Sequence, residues 1–187
     1  MDTINIIGID PGNNIGLAVY TVSIPDFKIV DIYTETFILD NNIVNYRNNN
    51  DTMINRMLLL QKYITSIAEY YKPTAVGLEM AFLNMRFPKA VIQLSQYLAI
   101  IETTFFNILP FIKIFKNPPK YIKKYIGATG KADKDDMMNI VANINDISSI
   151  TNIANKSEHE IDALAIGYIL LQDIKSKPYL LYALRGV

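Results

Sequence analysis

The sequence predicts an α/β fold: a central mixed five-stranded sheet, three strands antiparallel and two parallel, flanked by helices. Three observations carry this. Apolar runs at residues 4–9 and 15–20 are separated only by Asp10-Pro11-Gly12-Asn13-Asn14, and a third strand-like stretch follows at 27–38. Strands joined by such short turns form an antiparallel meander. Two further short apolar runs, 74–79 and 111–115, each come after a helix-patterned stretch, and a strand reached through a helical crossover returns parallel to its predecessor. The order, with a short basic helix after the last strand left uncounted, is βββ-α-β-α-β-α-α, read as one domain over residues 1–187.

The first hairpin organises the rest. Its leading strand ends on Asp10, with Gly8 and Gly12 on either side. The missing side chains leave room for a ligand or another backbone. An unpaired carboxylate is too costly to bury, so Asp10 either caps the turn or holds a cation. After the third strand, residues 41–50 hold six asparagines and read as an exposed loop. Asp51 or Thr52 can then cap a helix over about 53–71, with Ile54, Met57, Leu58, Ile64 and Ile67 on one face and Lys72-Pro73 ending it. The run 74–79 again ends on a carboxylate, Glu79. Parallel strands end at one sheet edge, so Asp10 and Glu79 meet if their strands are neighbours.

A helix over 90–107 precedes the strand at 111–115. A short basic helix (about 120–125), a glycine-containing loop, and a helix from Asp133 to about Ile144 come next, the last with acids at its start as the macrodipole favours. The final helix begins near Ser157.

Composition bounds the rest. With 187 residues, half of them hydrophobic, the chain can bury a proper core. The absence of cysteine excludes disulfides, zinc ribbons and thiol catalysis. No apolar run reaches the roughly 20 residues of a membrane span, and the expected location is cytoplasmic. The richness in Asn and Ile is that of an AT-rich genome such as a phage's, in which case the location is the host cytoplasm. Net charge is zero, from 18 basic and 18 acidic residues, yet Lys113, Lys116, Lys120, Lys123, Lys124, Lys131 and Lys134 crowd one stretch whose sole acid is Asp133. That run is either a solvated face or a phosphate-binding surface.

Chemistry converges at the two strand ends and the last helix, which opens Ser157-Glu158-His159-Glu160-Ile161-Asp162. His159 and Asp162, spaced i, i+3, share a helix face, as do Glu158 and Asp162 at i, i+4. Ser157-x-x-Glu160 is also a capping box. Carboxylates plus an imidazole are what two divalent cations about 4 Å apart require for phosphodiester hydrolysis. The oxygens suit Mg²⁺ or Mn²⁺, and the histidine nitrogen tilts the preference toward Mn²⁺.

These residues also carry a resemblance. Ile7-Gly8-Ile9-Asp10-Pro11-Gly12 resembles the opening motif of the RuvC-type Holliday-junction resolvases, in the ribonuclease-H-like superfamily. Gly77-Leu78-Glu79-Met80-Ala81-Phe82 is similar to the family's second acidic strand end, with its aromatic three residues on. Gln93-Leu94-Ser95-Gln96 falls where the family helix carries a Gln-containing dimer segment. Lys131-Ala132-Asp133-Lys134 resembles the step before a family helix, and Lys123 matches an upstream lysine. His159-Glu160-Ile161-Asp162-Ala163-Leu164-Ala165 resembles the C-terminal motif.

The resemblance implies a ribonuclease-H-like fold and a homodimeric, metal-dependent endonuclease that cuts four-way junctions and other branched DNA by paired symmetric nicks. Asp10, Glu79, His159 and Asp162 would ligate two Mg²⁺ or Mn²⁺ ions per active site. Lys123 and Lys134 would contact scissile-strand phosphates, with Lys134 in the catalytic set. Phe82 would stack on bases near the crossover, and Arg86, Lys124 and Lys131 would add DNA contacts. The zero net charge departs from a junction binder's usual basicity, which predicts weaker or more salt-sensitive binding. A non-cleaving junction-binding protein is the competing reading from another class. An actin- or sugar-kinase-like phosphate binder also opens Gly-Ile-Asp-x-Gly, but it needs a second lobe and leaves Glu79 and His159 unexplained.

Overall fold

In the computed structural model, which describes residues 2–39, 52–81, 88–129 and 133–177, the meander forms as β1 (Thr3–Asp10), β2 (Asn14–Ser23) and β3 (Ile29–Ile38). Helix α1 (Thr52–Tyr71) leads to β4 (Ala75–Glu79), and α2 (Pro88–Ile108) leads to β5 (Lys113–Asn117). Then follow α3 (Pro119–Tyr125), α4 (Lys134–Ala142), the four-residue α5 (Asn145–Ser148), a 3₁₀ turn (Ile153–Asn155) and α6 (Glu158–Ser176). The sheet order is β3-β2-β1-β4-β5, antiparallel through β1 and parallel from β1 to β5. Because Ile9 pairs with Leu78 in the parallel register, the next residues, Asp10 and Glu79, leave the same edge side by side.

Strand alternation sorts β1 between two cores. Ile7 and Ile9 pack with Leu60 and Ile64 of α1 and Tyr97, Ile101 and Phe105 of α2. Ile6 packs on the other face with Ile161, Leu164 and Ile166 of α6, and Gly8 and Asp10 share that face by parity. Helix α6 is buried nearly all round, so it is apolar on every side once past its first turn.

The sheet and α6 touch backbone to backbone. A Cβ on Gly8 would overlap the Ala163 carbonyl and the Gly167 amide, and one on Gly16 would overlap the His159 carbonyl. The fully buried Tyr20 ring lies against Gly167, and its hydroxyl donates to the Leu164 carbonyl at 2.6 Å. The expected close approach is therefore real at Gly8. At Gly12 it is not: the atoms nearest a Cβ there belong to Asn14, two residues on. The second close approach is at Gly16.

Several boundaries differ from the sequence pattern. Strand β5 starts at Lys113 rather than 111, because the Ile112 amide is spent in a turn on the Leu109 carbonyl (3.0 Å) and Phe111 is left 78 % exposed. Phe27 sits in a turn with φ of 54°, so β3 begins at Ile29. On α1, Ile54 is exposed while Asn55, Leu60, Tyr63, Ile64 and Ile67 are buried; packing against α2 and β3 rotates the buried stripe. Helix α4 ends at Ala142, where the Asn143 amide closes the last turn. The short helical pieces over 145–155 were too brief to give a periodic signal.

Gly8→Ala tests the backbone contact. The methyl meets backbone on two sides, so overpacking of about 1–3 kcal/mol or more is expected, read as a lowered urea midpoint.

Candidate active site

Strands β1 and β4 and helix α6 meet at the sheet edge where the two strands end. Asp10 and Glu79 arrive on neighbouring parallel strands. Helix α6 brings the others. Its start is fixed by a capping box in which Ser157 Oγ accepts from the Glu160 amide and Glu160 accepts from the Ser157 amide. The box is itself tied to β3: Thr36 and Ser157 hydroxyls share a 2.6 Å hydrogen bond, and Thr34 donates to Glu160 Oε1 at 2.5 Å. Glu160 is thus spent on holding the helix, and His159 faces the sheet. His159 Nδ1 lies 2.9 Å from Asp10 Oδ2. Asp162, one turn on, is half-buried in the same region.

The lysines flank the acids. Lys123 on α3 is half-buried and acts electrostatically on both Glu79 and Asp162. Lys134, the first residue of α4, is 76 % exposed and forms an ion pair with Glu158. Lys123, Asp133, Lys134, Met137, Glu158 and Asp162 line a cavity of about 170 Å³. Lys124 is exposed on α3.

A family model for the crossover junction endodeoxyribonuclease RuvC matches residues 6–169. The chain belongs to the RuvC family. The RuvC crossover junction endodeoxyribonuclease of Ehrlichia canis (strain Jake) is 27 % identical over 164 residues, spanning 87 % of this chain and 92 % of that protein. Among solved structures, Thermus thermophilus RuvC superposes with a TM-score of 0.66 at 20 % identity, over 93 % of this chain and 96 % of its own. The same protein in complex with a Holliday junction substrate gives 0.66 at 18 % over the same shares. The yeast mitochondrial Holliday junction resolvase Ydc2 gives 0.64 at 13 %, over 98 % and 85 %. At these identities the superpositions establish the ribonuclease-H-like fold.

Within this RuvC-family fold, the chain gathers Asp10, Glu79, His159, Asp162, Lys123 and Lys134 into one region. Glu158 lines the same cavity as Asp162, one turn away on the helix, pairs there with Lys134 and stands 3.6 Å from His159 Nε2. Of the expected dimer segment, Gln93 points inward and donates to Asn13, leaving Ser95 and Gln96 exposed. Phe82, Arg86 and Lys131 lie outside the described residues. Sequence pattern gave no cue to Gly16 or to the Lys134–Glu158 pair; a glycine facing a helix start two residues into β2 is the signal that reveals the former.

The acids are electrostatically crowded. Burial, then the charges of Asp10 and Asp162, pushes Glu79 up to about 8, and Lys123 offsets only part of this. Burial and then Asp10 raise Asp162 to about 6, against Lys123 and His159. Burial also raises Asp10, despite its bond to His159, and that bond in turn raises His159. Among the described residues no three His, Asp or Glu side chains are drawn close enough together to cage an ion. The donor chemistry nevertheless fits one. Asp10, Glu79 and Asp162 offer half-buried hard oxygens whose mutual repulsion a divalent cation would offset, and His159 adds a nitrogen donor.

The sign of the pH dependence follows. Glu79 and Asp162 carry pKa values near 8 and 6 in the folded chain against ordinary values of 4.5 and 3.8. Between those limits the folded state holds protons that the unfolded chain has released, so stability falls as pH rises. The unfolding free energy of metal-free protein, read from denaturant titrations, should drop from about pH 4.5 to 8 by on the order of a few kcal/mol. Glu79→Gln should flatten the upper part of that curve.

Proposed function

We propose that this RuvC-family protein is a divalent-metal-dependent endonuclease that resolves four-way DNA junctions by paired symmetric nicks. One observation carries the reading: two acids on adjacent parallel strand ends face His159 and Asp162 of one helix, with Lys123 and Lys134 alongside. Asp10, Glu79, His159 and Asp162 would hold Mg²⁺ or Mn²⁺, two ions per site. When bound, such ions supply a nucleophilic hydroxide at neutral pH and stabilise the charge on the leaving oxygen.

The chain's own groups do the rest. Lys123, already held near the acids, offers a fixed positive charge to the scissile phosphate. Lys134 exchanges its Glu158 partner for a phosphate oxygen. Both are stationed before DNA arrives, which is where electrostatic catalysis gains most. Phe82, carried by the family motif, would stack on bases at the crossover, a contact worth about 1–3 kcal/mol per base. Arg86, Lys124 and Lys131 would add phosphate contacts. A twofold-symmetric pair of copies would present two such sites to the two strands cut in a symmetric junction.

Cleavage of a synthetic four-way junction, beside linear duplex, in Mg²⁺ and Mn²⁺ tests this. Paired nicks confined to the junction are expected, with Asp10→Asn slower by at least about two orders of magnitude. Junction binding that persists in EDTA and yields no nicks in Mn²⁺ would overturn the nuclease in favour of a binding protein.

A second measurement isolates His159. A ligand imidazole must be neutral, and contact with Asp10 keeps this one protonated to a higher pH than an ordinary histidine. Cleavage should therefore fall as pH drops through that range, while His159→Asp should hold its rate to lower pH. Coincident pH profiles would remove His159 from the ligand set.

A further inference from the structure

We infer that Gln93 and Tyr97 of α2 are positioning residues for the turn that follows Asp10, acting through Asn13; the inference rests on the junction-cleaving reading above. The turn needs such a hold. Sheet pairing of the hairpin stops at Asp10↔Gly16, Pro11 has no amide hydrogen to donate, and Gly12 adds backbone freedom. The segment immediately beyond the proposed ligand is thus weakly determined by its own backbone.

Asn13 supplies what the backbone lacks. Its carbonyl accepts from the Leu39 amide at 2.9 Å, at the far end of β3. Its side-chain Oδ1 accepts from Gln93 Nε2 at 2.8 Å and from the Tyr97 hydroxyl at 3.1 Å. Gln93 Nε2 also donates to Tyr97 Oη at 2.7 Å, which closes a triangle.

The inventory of hydrogens in that triangle is complete. Both Gln93 amide hydrogens are used, Tyr97 accepts one and donates its own, and both lone pairs of Asn13 Oδ1 are filled. Flipping Gln93 alone would set two carbonyl oxygens face to face, so the Gln93 and Asn13 amides are fixed relative to each other. Tyr97 is 1 % exposed and anchored in the core shared by β1, α1 and α2. Asn13 itself is exposed and Gln93 half-buried, so the triangle ties a surface turn to a side chain rooted in the core. It joins the turn to α2, which also packs beneath Ile9, the neighbour of Asp10. None of the three residues needs to contact DNA or metal for this role. Its effect is to keep Asp10 from drifting with a loose turn, and small displacements of a reacting group are costly in rate.

Gln93→Met and Tyr97→Phe remove donors with little change of volume. In each, kcat for junction cleavage should fall about tenfold with KM unchanged, and amide exchange over residues 10–16 of the metal-free protein should quicken while the core of α6 stays protected. Combining Gln93→Met with Asn13→Ala should cost no more than either alone, because all three act as one unit. Wild-type kcat together with unchanged exchange at the turn would overturn the inference. So would exchange that quickens equally throughout, which marks general loosening. If the wild-type protein cuts no junction, the nuclease reading fails by itself, and exchange at the turn still decides the tether.

Discussion

Helix α6 can deliver His159 and Asp162 to Asp10 only because residues 8 and 16 have no side chains. Backbone meets backbone at both points, one on each strand of the first hairpin. A Cβ at either position would overlap helix backbone, so helix or sheet would have to shift beside the His159–Asp10 contact. The buried Tyr20 hydroxyl and the Thr34 and Thr36 contacts to the capping box then set the helix's rotation and its starting point. Ordinary packing forces thus place two polar side chains at a strand end to within hydrogen-bonding distance.

That placement works against stability. Three carboxylates crowd one sheet edge with raised pKa values, and burial is the leading cause for each. Such an arrangement adds nothing to the fold of the metal-free chain, while a cation that binds only the folded state would offset the strain. The rest of the molecule absorbs the cost through two well-filled cores, one on each sheet face. Repelling acids, a lone histidine and a half-buried lysine gather at one end of the sheet, where the proposed cations and phosphates would offset one another's charge.

The neutral net charge conceals a strong local pattern. Lysines from α3 and α4 stand beside the acids rather than across the molecule, and Lys134 is held by Glu158. An internal partner for an exposed lysine lowers its pull on distant phosphates and leaves its charge available at short range. Family membership and this local arrangement bear on function more than the total does.

Pattern along the chain is enough for the order of the main elements, the mixed sheet and the identity of the acidic and basic residues around the candidate site. These are local matters: periodicity, turn residues and carboxylates at the ends of apolar runs are visible one window at a time. Asp10 and Glu79 were legible as neighbours because parallel strands end at a common edge. Other features come from contacts between distant segments. Gly16 as a contact point, the partner of Lys134, the rotation of α1 that exposes Ile54, and the inward turn of Gln93 toward Asn13 all depend on side chains far apart in the chain. No local pattern encodes which two surfaces meet, because that choice is made by the packing of whole faces against each other.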